Sequence, residues 1–319
     1  MHFELLPPVP AVVLADQLRR IPLFSFVDVH ELFRISSIAR QVRHEAGAAM
    51  QQEGTPVEYI QVLVEGRIRV TGKGRHEEDM LPPVLLGFRE VLEGAPLRET
   101  AHAIESSICL AIGADEFRAL LSDNIELAQG LFQQLLSAPS KNGRPSLMRQ
   151  AVRLDERPLA LGDGQKLKPI DKVLLLQALP VFSRTTANEL FALAAIAREL
   201  RLVENEPVFN EGDPPALYVV LSGELSVQSP ENETHADVVS AGDVLGLHET
   251  LAGTPFDWRA KVVTGGLALK IERDSLFEVL ADQEDLLQAL FSALFQSSAS
   301  SAATHSAKPG AEAHSTLPS

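Results

Sequence analysis

The hydrophobic pattern of this chain alternates between two periods. From Glu189 to Arg198 apolar residues fall at Leu190, Leu193, Ala194 and Ala197, the spacing of a helix with one buried stripe. From Leu217 to Val227 a Leu-Tyr-Val-Val-Leu run is followed by Ser222-Gly223 and then by alternating Leu225 and Val227. This predicts two short strands joined by a hairpin-like turn. Val262 to Ile271 predicts another strand, and Asp274–Leu280 and Glu284–Phe295 predict helices that close the unit. In the last helix Leu286, Leu287, Leu290, Leu294 and Phe295 share one side. That side must be covered, either by its own domain or by a second copy of the chain, which would make 284–295 a homodimer face.

The same pattern occurs twice. Pro22-Leu23-Phe24 is echoed by Pro180-Val181-Phe182, Glu31-Leu32-Phe33 by Glu189-Leu190-Phe191, Ile38-Ala39-Arg40 by Ile196-Ala197-Arg198 and Glu53-Gly54 by Glu211-Gly212, all 158 residues apart. The spacing is 157 for Gly66 and Gly223, and 159 for Gly87/Gly246, Glu90/Glu249, Gly94/Gly253 and Pro96/Pro255. One-residue slips are what insertions at turns produce. The chain therefore reads as one domain written twice, over 15–137 and 172–296, which suits its 319 residues. Between them, 138–171 is a connector rich in Pro and Gly with seven Lys or Arg against four acids. It reads as a solvated linker with one short helical stretch near Leu147–Val152, and Arg144-Pro145-Ser146 is a candidate docking or modification segment. The Ser/Ala-rich tail from 297 to 319 predicts an unstructured end. The recurring Glu53-Gly54, Glu211-Gly212 and Ser222-Gly223 steps read as tight corners of a roll of short strands, where glycine supplies positive φ.

Composition narrows the function classes. Hydrophobic residues make up 45% and charged residues 22%, so the chain is globular. A net charge of −15 argues against a broad nucleic-acid or anionic-membrane surface, which needs clustered Lys and Arg. The single cysteine, Cys109, rules out an internal disulfide and lies between Ile108 and Leu110, where a buried, unreactive thiol is expected. Glu4 and early prolines do not suit a secretory leader, and no stretch approaches the length of a membrane span; both favour the cytoplasm. None of the nine histidines forms a His-x-His pair, and His248-Glu249 reads as surface. Gly-x-Ser-x-Gly, a phosphate-binding Gly-x-x-x-x-Gly-Lys and His-Glu-x-x-His are absent as well. No metal, no cofactor and no enzyme activity are expected.

The second copy resembles the cyclic nucleotide-binding domain family. The residues that carry the resemblance are Phe209-Asn210-Glu211-Gly212-Asp213, the run from Leu217 to Val227, Ala241-Gly242-Asp243-Val244-Leu245-Gly246 and Ile271-Glu272-Arg273-Asp274. The first copy is similar at Gln52-Glu53-Gly54, Val64-Glu65-Gly66-Arg67-Ile68 and Leu86-Gly87, and lacks the Gly-Asp step at Pro82-Pro83. The resemblance implies a mainly β fold with flanking α-helices: two tandem jelly-roll domains, each an eight-stranded β-roll. It also implies that ligand chemistry sits in one cassette between two strands. There a Gly-Glu opens a short helix whose amides hold a phosphate, and an Arg about ten residues after the Gly pairs with it.

Both copies depart from that pattern. Gly246 is followed by Leu247, and the Arg position falls on Phe256 or Asp257; Gly87 is followed by Phe88, and the Arg position falls on Leu97. Arg98, in Leu97-Arg98-Glu99-Thr100-Ala101, is the candidate phosphate ligand of the first copy, and Arg259 is a weaker one in the second. Otherwise they are surface arginines, pairing with Glu99 or Asp257. Glu90 and Glu249 either stand in for the missing Glu or cap and solubilise the cassette helix. The candidate ligand-binding residues are thus Gly87, Glu90, Arg98, Thr100, Gly246, Glu249 and Arg259. The implied role is a regulatory sensor: a small ligand, in the family a cyclic nucleotide, shifts the cassette and the helices 274–280 and 284–295 and so signals to a partner protein. The 24 residues after Phe295 are too few for a helix-turn-helix module. Tandem rolls also fit a kinase regulatory subunit, but no inhibitory Arg-Arg-x-Ala/Ser segment is found. The alternative role is a ligand-free protein-interaction module in which both pockets have degenerated.

Overall fold

A computed structural model describes residues 3–25, 27–72, 75–136, 147–148, 154, 166–183, 185–229 and 236–303. The first copy opens with strand β1 (Glu4–Leu5) and helices α1 (Ala11–Arg19) and α2 (Val29–Ile38). Asp28 caps α2 by accepting from the Glu31 amide at 3.0 Å. The roll follows as β2 (Ala39–His44), β3 (Ala49–Gln51), β4 (Tyr59–Glu65), β5 (Ile68–Gly72), β6 (Arg75–Met80) and β7 (Val84–Leu86). Helix α3 (Phe88–Glu93) interrupts it before β8 (Glu99–Ala103) and β9 (Ser107–Gly113), and α4 (Ala114–Asp123) and α5 (Ile125–Leu136) close the copy. The strands make two antiparallel sheets, ordered β1-β2-β9-β4-β7 and β3-β8-β5-β6.

The second copy repeats this order. After β10 (Leu147–Met148) come α6 (Pro169–Gln177) and α7 (Ala187–Ile196), which starts with a Thr186/Glu189 capping box. Then come β11 (Arg198–Leu202), β12 (Pro207–Phe209), β13 (Ala216–Gln228), β14 (Asp237–Val239), β15 (Val244–Leu245), helix α8 (Leu247–Ala252), β16 (Arg259–Glu272), α9 (Arg273–Leu280) and α10 (Glu284–Ala303). The two tandem β-rolls with flanking helices are the architecture that the duplicated pattern predicts.

Four local expectations are corrected. Ser222-Gly223 is no hairpin turn: β13 runs straight through it and pairs along its length with β16, with the register slipping around Ser222 and Glu224. Gly223 (φ +87) is needed because a Cβ there would stand 2.5 Å from the Thr264 carbonyl oxygen. The expected helical stretch near Leu147–Val152 holds instead the two-residue strand β10, which pairs with β15; residues 149–152 lie outside the described residues. Arg144-Pro145-Ser146 lies outside them too. The closing helix continues to Ala303, past the expected start of the unstructured tail at 297. Finally, the apolar side of 284–295 is covered from both copies: it packs on the Pro180–Phe182 turn and α9 of its own copy, as one alternative expected, and also on α3 and α4 of the first copy, which the sequence did not suggest.

Each roll has its own interior. That of the first holds Val42, Met50, Leu63, Ile68, Val70 and neighbours, and that of the second holds Leu202, Phe209, Tyr218, Phe256, Trp258 and neighbours. A third core is built from the helices of both copies together. In it α10 of the second copy packs on α3 of the first, and α5 of the first packs on α8 of the second. Phe132 of α5 stacks on Phe291 of α10 with ring centroids 4.0 Å apart, and the Arg118 guanidinium of α4 lies 3.7 Å from Glu284. Leu286, Leu287, Leu290 and Phe291 are buried there. Burying one such side chain contributes about 1.5–3 kcal/mol, shared here between contacts within the second copy and contacts with the first. Among the described residues no helix is long and apolar enough to cross a membrane.

Candidate functional site

The two cassettes are the turns around α3 and α8. Each starts and ends on a left-handed glycine: Gly87 (φ +75) and Gly94 (φ +61) in the first copy, Gly246 (φ +73) and Gly253 (φ +72) in the second. A side chain at Gly87 would press on Val57 and the Tyr59 carbonyl, and one at Gly246 would strike the Ala216 carbonyl oxygen. The glycines are therefore demanded by the close passage of strand and turn, whatever the cassette binds.

In the first cassette the residue ten after the glycine is Leu97. It is 4% exposed, and its Cδ2 comes within 3.7 Å of where a Gly87 side chain would start. Its backbone is tied on both sides, donating to the Thr55 carbonyl at 2.9 Å and accepting from the Gly54 amide at 2.8 Å. Arg98, one residue on, is turned out with a side chain 46% exposed. It pairs with Glu93, not with Glu99. The buried Glu93 carboxylate also takes the Arg89 Nε at 2.8 Å. Helix α10 lies across this cluster: Arg89 donates to the Phe295 carbonyl at 3.2 Å and faces its ring at 4.8 Å, and the Ser292 hydroxyl donates to the Glu93 carbonyl at 3.2 Å. Glu90 is half-buried; burial raises its carboxyl above the ordinary range, while Arg98 pulls it back. The Thr100 hydroxyl accepts from the Glu53 amide at 3.0 Å and so ties two loops together.

In the second cassette Phe256 holds the corresponding place, 1% exposed, its ring edge 3.0 Å from where a Gly246 side chain would start. It stacks on Phe209 at 3.9 Å, while Trp258 meets Phe209 edge-on at 4.8 Å and Tyr218 lies 5.2 Å from Phe209. Four aromatic side chains thus fill the end of the roll next to the cassette. Arg259 lies outside this cluster and donates to Gln228 at 3.2 Å instead of pairing with Asp257. Glu249 turns inward and accepts from the Trp258 indole at 2.6 Å, so it does not solubilise the helix. His248, expected at the surface, is half-buried, and burial lowers the pKa of its ring.

The candidate residues are therefore divided. Gly87 and Gly246 form the cassette turns, Arg98 is engaged by Glu93 at the last residue of α3, and Arg259 is engaged by Gln228. Sequence reasoning passed over the roll interiors. The first roll buries His44, Gln51 and Gln61 where the second has Leu202, Phe209 and Tyr218. His44 Nε2 and Gln61 Oε1 are 2.7 Å apart, and the Gln61 amide donates to the Met50 carbonyl at 2.8 Å. Burial lowers the His44 pKa, which keeps the ring neutral, and its Nδ1 finds no partner. Setting the two copies side by side would have exposed this contrast. Among the described residues no group of three or more His, Cys, Asp or Glu could hold a metal ion.

A family model described as the cyclic nucleotide-binding domain matches twice, over residues 41–124 and 199–283. No curated protein sequence matches the chain. Among solved structures it is similar to the regulatory subunit of a cAMP-independent protein kinase A from Trypanosoma brucei, at 15% identity over 85% of each chain with a TM-score of 0.35. The regulatory domain of protein kinase A from Toxoplasma gondii, with cAMP, matches at 16% identity over 87% of this chain and 94% of that one, with a TM-score of 0.34. The Trypanosoma cruzi regulatory subunit bound to guanosine matches at 13% identity over 84% of this chain and 85% of that one, with a TM-score of 0.35.

Proposed function

This chain belongs to the cyclic nucleotide-binding domain family, and we propose that it is a regulatory module that signals to a partner protein without holding a cyclic phosphate in either cassette. The family is a ligand-binding one of regulatory and not catalytic character. One observation carries the reading: at the phosphate-arginine position of both copies stands a buried apolar side chain, Leu97 and Phe256. A phosphate placed there would lose its hydration with no guanidinium in return.

The test is thermal unfolding of the full chain with millimolar cyclic AMP or cyclic GMP. A ligand at one hundred times its dissociation constant adds about 2.7 kcal/mol. Each kcal/mol moves the midpoint of a unit of 150–250 residues by about 2–4 °C. We expect no saturable shift; a shift of several degrees that saturates with cyclic nucleotide overturns the reading. A second reading, a sensor of a small uncharged ligand, is favoured by the buried His44–Gln61 pair in the first roll. The same assay with uncharged nucleosides addresses it. A saturable shift that His44→Leu abolishes supports it, and no shift removes it.

A further inference from the structure

Glu249 is buried, 5% exposed, on the cassette helix α8 of the second copy. One carboxylate oxygen accepts from Trp258 Nε1 at 2.6 Å, and the other, Oε2, is buried with no partner. A carboxylate in that position leaves an ionised oxygen without water or donor, whereas a carboxylic acid removes the charge and keeps the indole bond. The groups around it deepen the preference. Asp257, in the loop between α8 and β16, adds like charge, and His248 on α8 is held neutral by burial. Of the other charged or titratable groups on the elements packed nearby, Glu211 and Asp213 sit in the 210–213 loop bonded to Phe256, Tyr218 lies on β13 and Glu126 is the one charged residue of α5, and none of these acts on the Glu249 carboxyl as Asp257 does. Of the nearby cations, Arg273 on α9 donates to the Thr250 carbonyl at 3.1 Å and lies 3.8 Å from Asp274, and Arg259 is engaged by Gln228.

We infer that Glu249 is a proton-binding site that makes the second cassette, and the α5–α8 contact between the copies, respond to pH near neutrality. The inference does not depend on the reading above, because a proton and not a nucleotide is the ligand. Burial raises the Glu249 carboxyl from an ordinary 4.5 to about 7, against the opposing pull of the Trp258 bond. A carboxyl raised on folding contributes stability that is complete below about pH 4.5 and lost as pH rises through about 7. The cassette is thus tightest when mildly acidic and loosens above neutrality.

Trp258 is the only tryptophan of the chain and reports directly on its partner. The test follows its fluorescence and its indole N–H resonance from pH 5 to 9 in the full chain, together with the melting temperature. We expect one sigmoidal change with a midpoint near 7 and a melting temperature that falls across the same range. In Glu249→Gln, which keeps an oxygen for the indole, the Trp258 transition near 7 is lost, the melting temperature no longer falls across it, and the high-pH melting temperature rises. In His248→Asn the midpoint stays. Flat wild-type curves, a transition that survives Glu249→Gln, or one lost in His248→Asn overturns the inference. If Glu249→Gln fails to fold, Asp257→Asn decides instead: removing that charge must lower the midpoint, and an unmoved midpoint overturns the inference.

Discussion

Phe132 offers the sharpest test of how the copies are joined. It lies on α5 of the first copy, fully buried, 4.0 Å from Phe291 and 6.2 Å from Phe277 of the second copy. Phe132→Ala removes a ring whose neighbours belong to two helices of the other copy, so the cavity cannot close without moving α10. Such a truncation costs about 3–5 kcal/mol, a large part of the roughly 5–15 kcal/mol that holds a domain folded. Because the helical core runs through both copies, the loss should be felt by both. The assay is urea unfolding followed by circular dichroism, which sees the whole chain, and by Trp258 fluorescence, which sees the second roll. Both midpoints should fall together by the same free energy. A cycle with Phe291→Ala should return a coupling of about 0.5–1.5 kcal/mol for the stacked pair. If the Trp258 transition stays in place while circular dichroism shows a separate early step, the copies unfold independently and the shared core is not holding them.

Glycines of the two turns should separate by crowding. Gly212 (φ +85) faces open space, so Gly212→Ala should cost about 1–2 kcal/mol for the left-handed backbone alone. Gly246→Ala adds a collision with the Ala216 carbonyl and the Phe256 ring, and should cost roughly 3 kcal/mol or more; equal losses in urea unfolding would refute the crowding argument. Cys109 is fully buried, and burial pushes its thiol up to about 12. Labelling by a thiol reagent at pH 8 should therefore proceed only as fast as the chain opens and accelerate with urea; immediate labelling of the native chain would count against it.

The residues that carry local periodicity settled much of this protein before any coordinates. Leu190, Leu193 and Ala194 mark a helix by spacing alone, and the two-residue period after Gly223 marks a strand, because each pattern depends on a few neighbours in the chain. The duplication was legible for the same reason: turn glycines such as Gly87 and Gly246 answer to backbone demands that both copies share. The departure at Leu97 and Phe256 could be read from spacing as well. Only the tertiary structure decided where those side chains point and what they meet. That Arg98 pairs with Glu93 and Glu249 turns onto Trp258 depends on how the loop after each cassette helix folds back on it, and that Phe209 stacks on Phe256 depends on segments distant in sequence meeting at one end of the roll. The destination of the last helix was beyond the sequence for a related reason. Its apolar stripe states that Leu286 to Phe291 must be covered, but hydrophobic burial has no direction. Any apolar surface of the right shape satisfies it, and the fold places α10 between α9 of its own copy and α3 of the other.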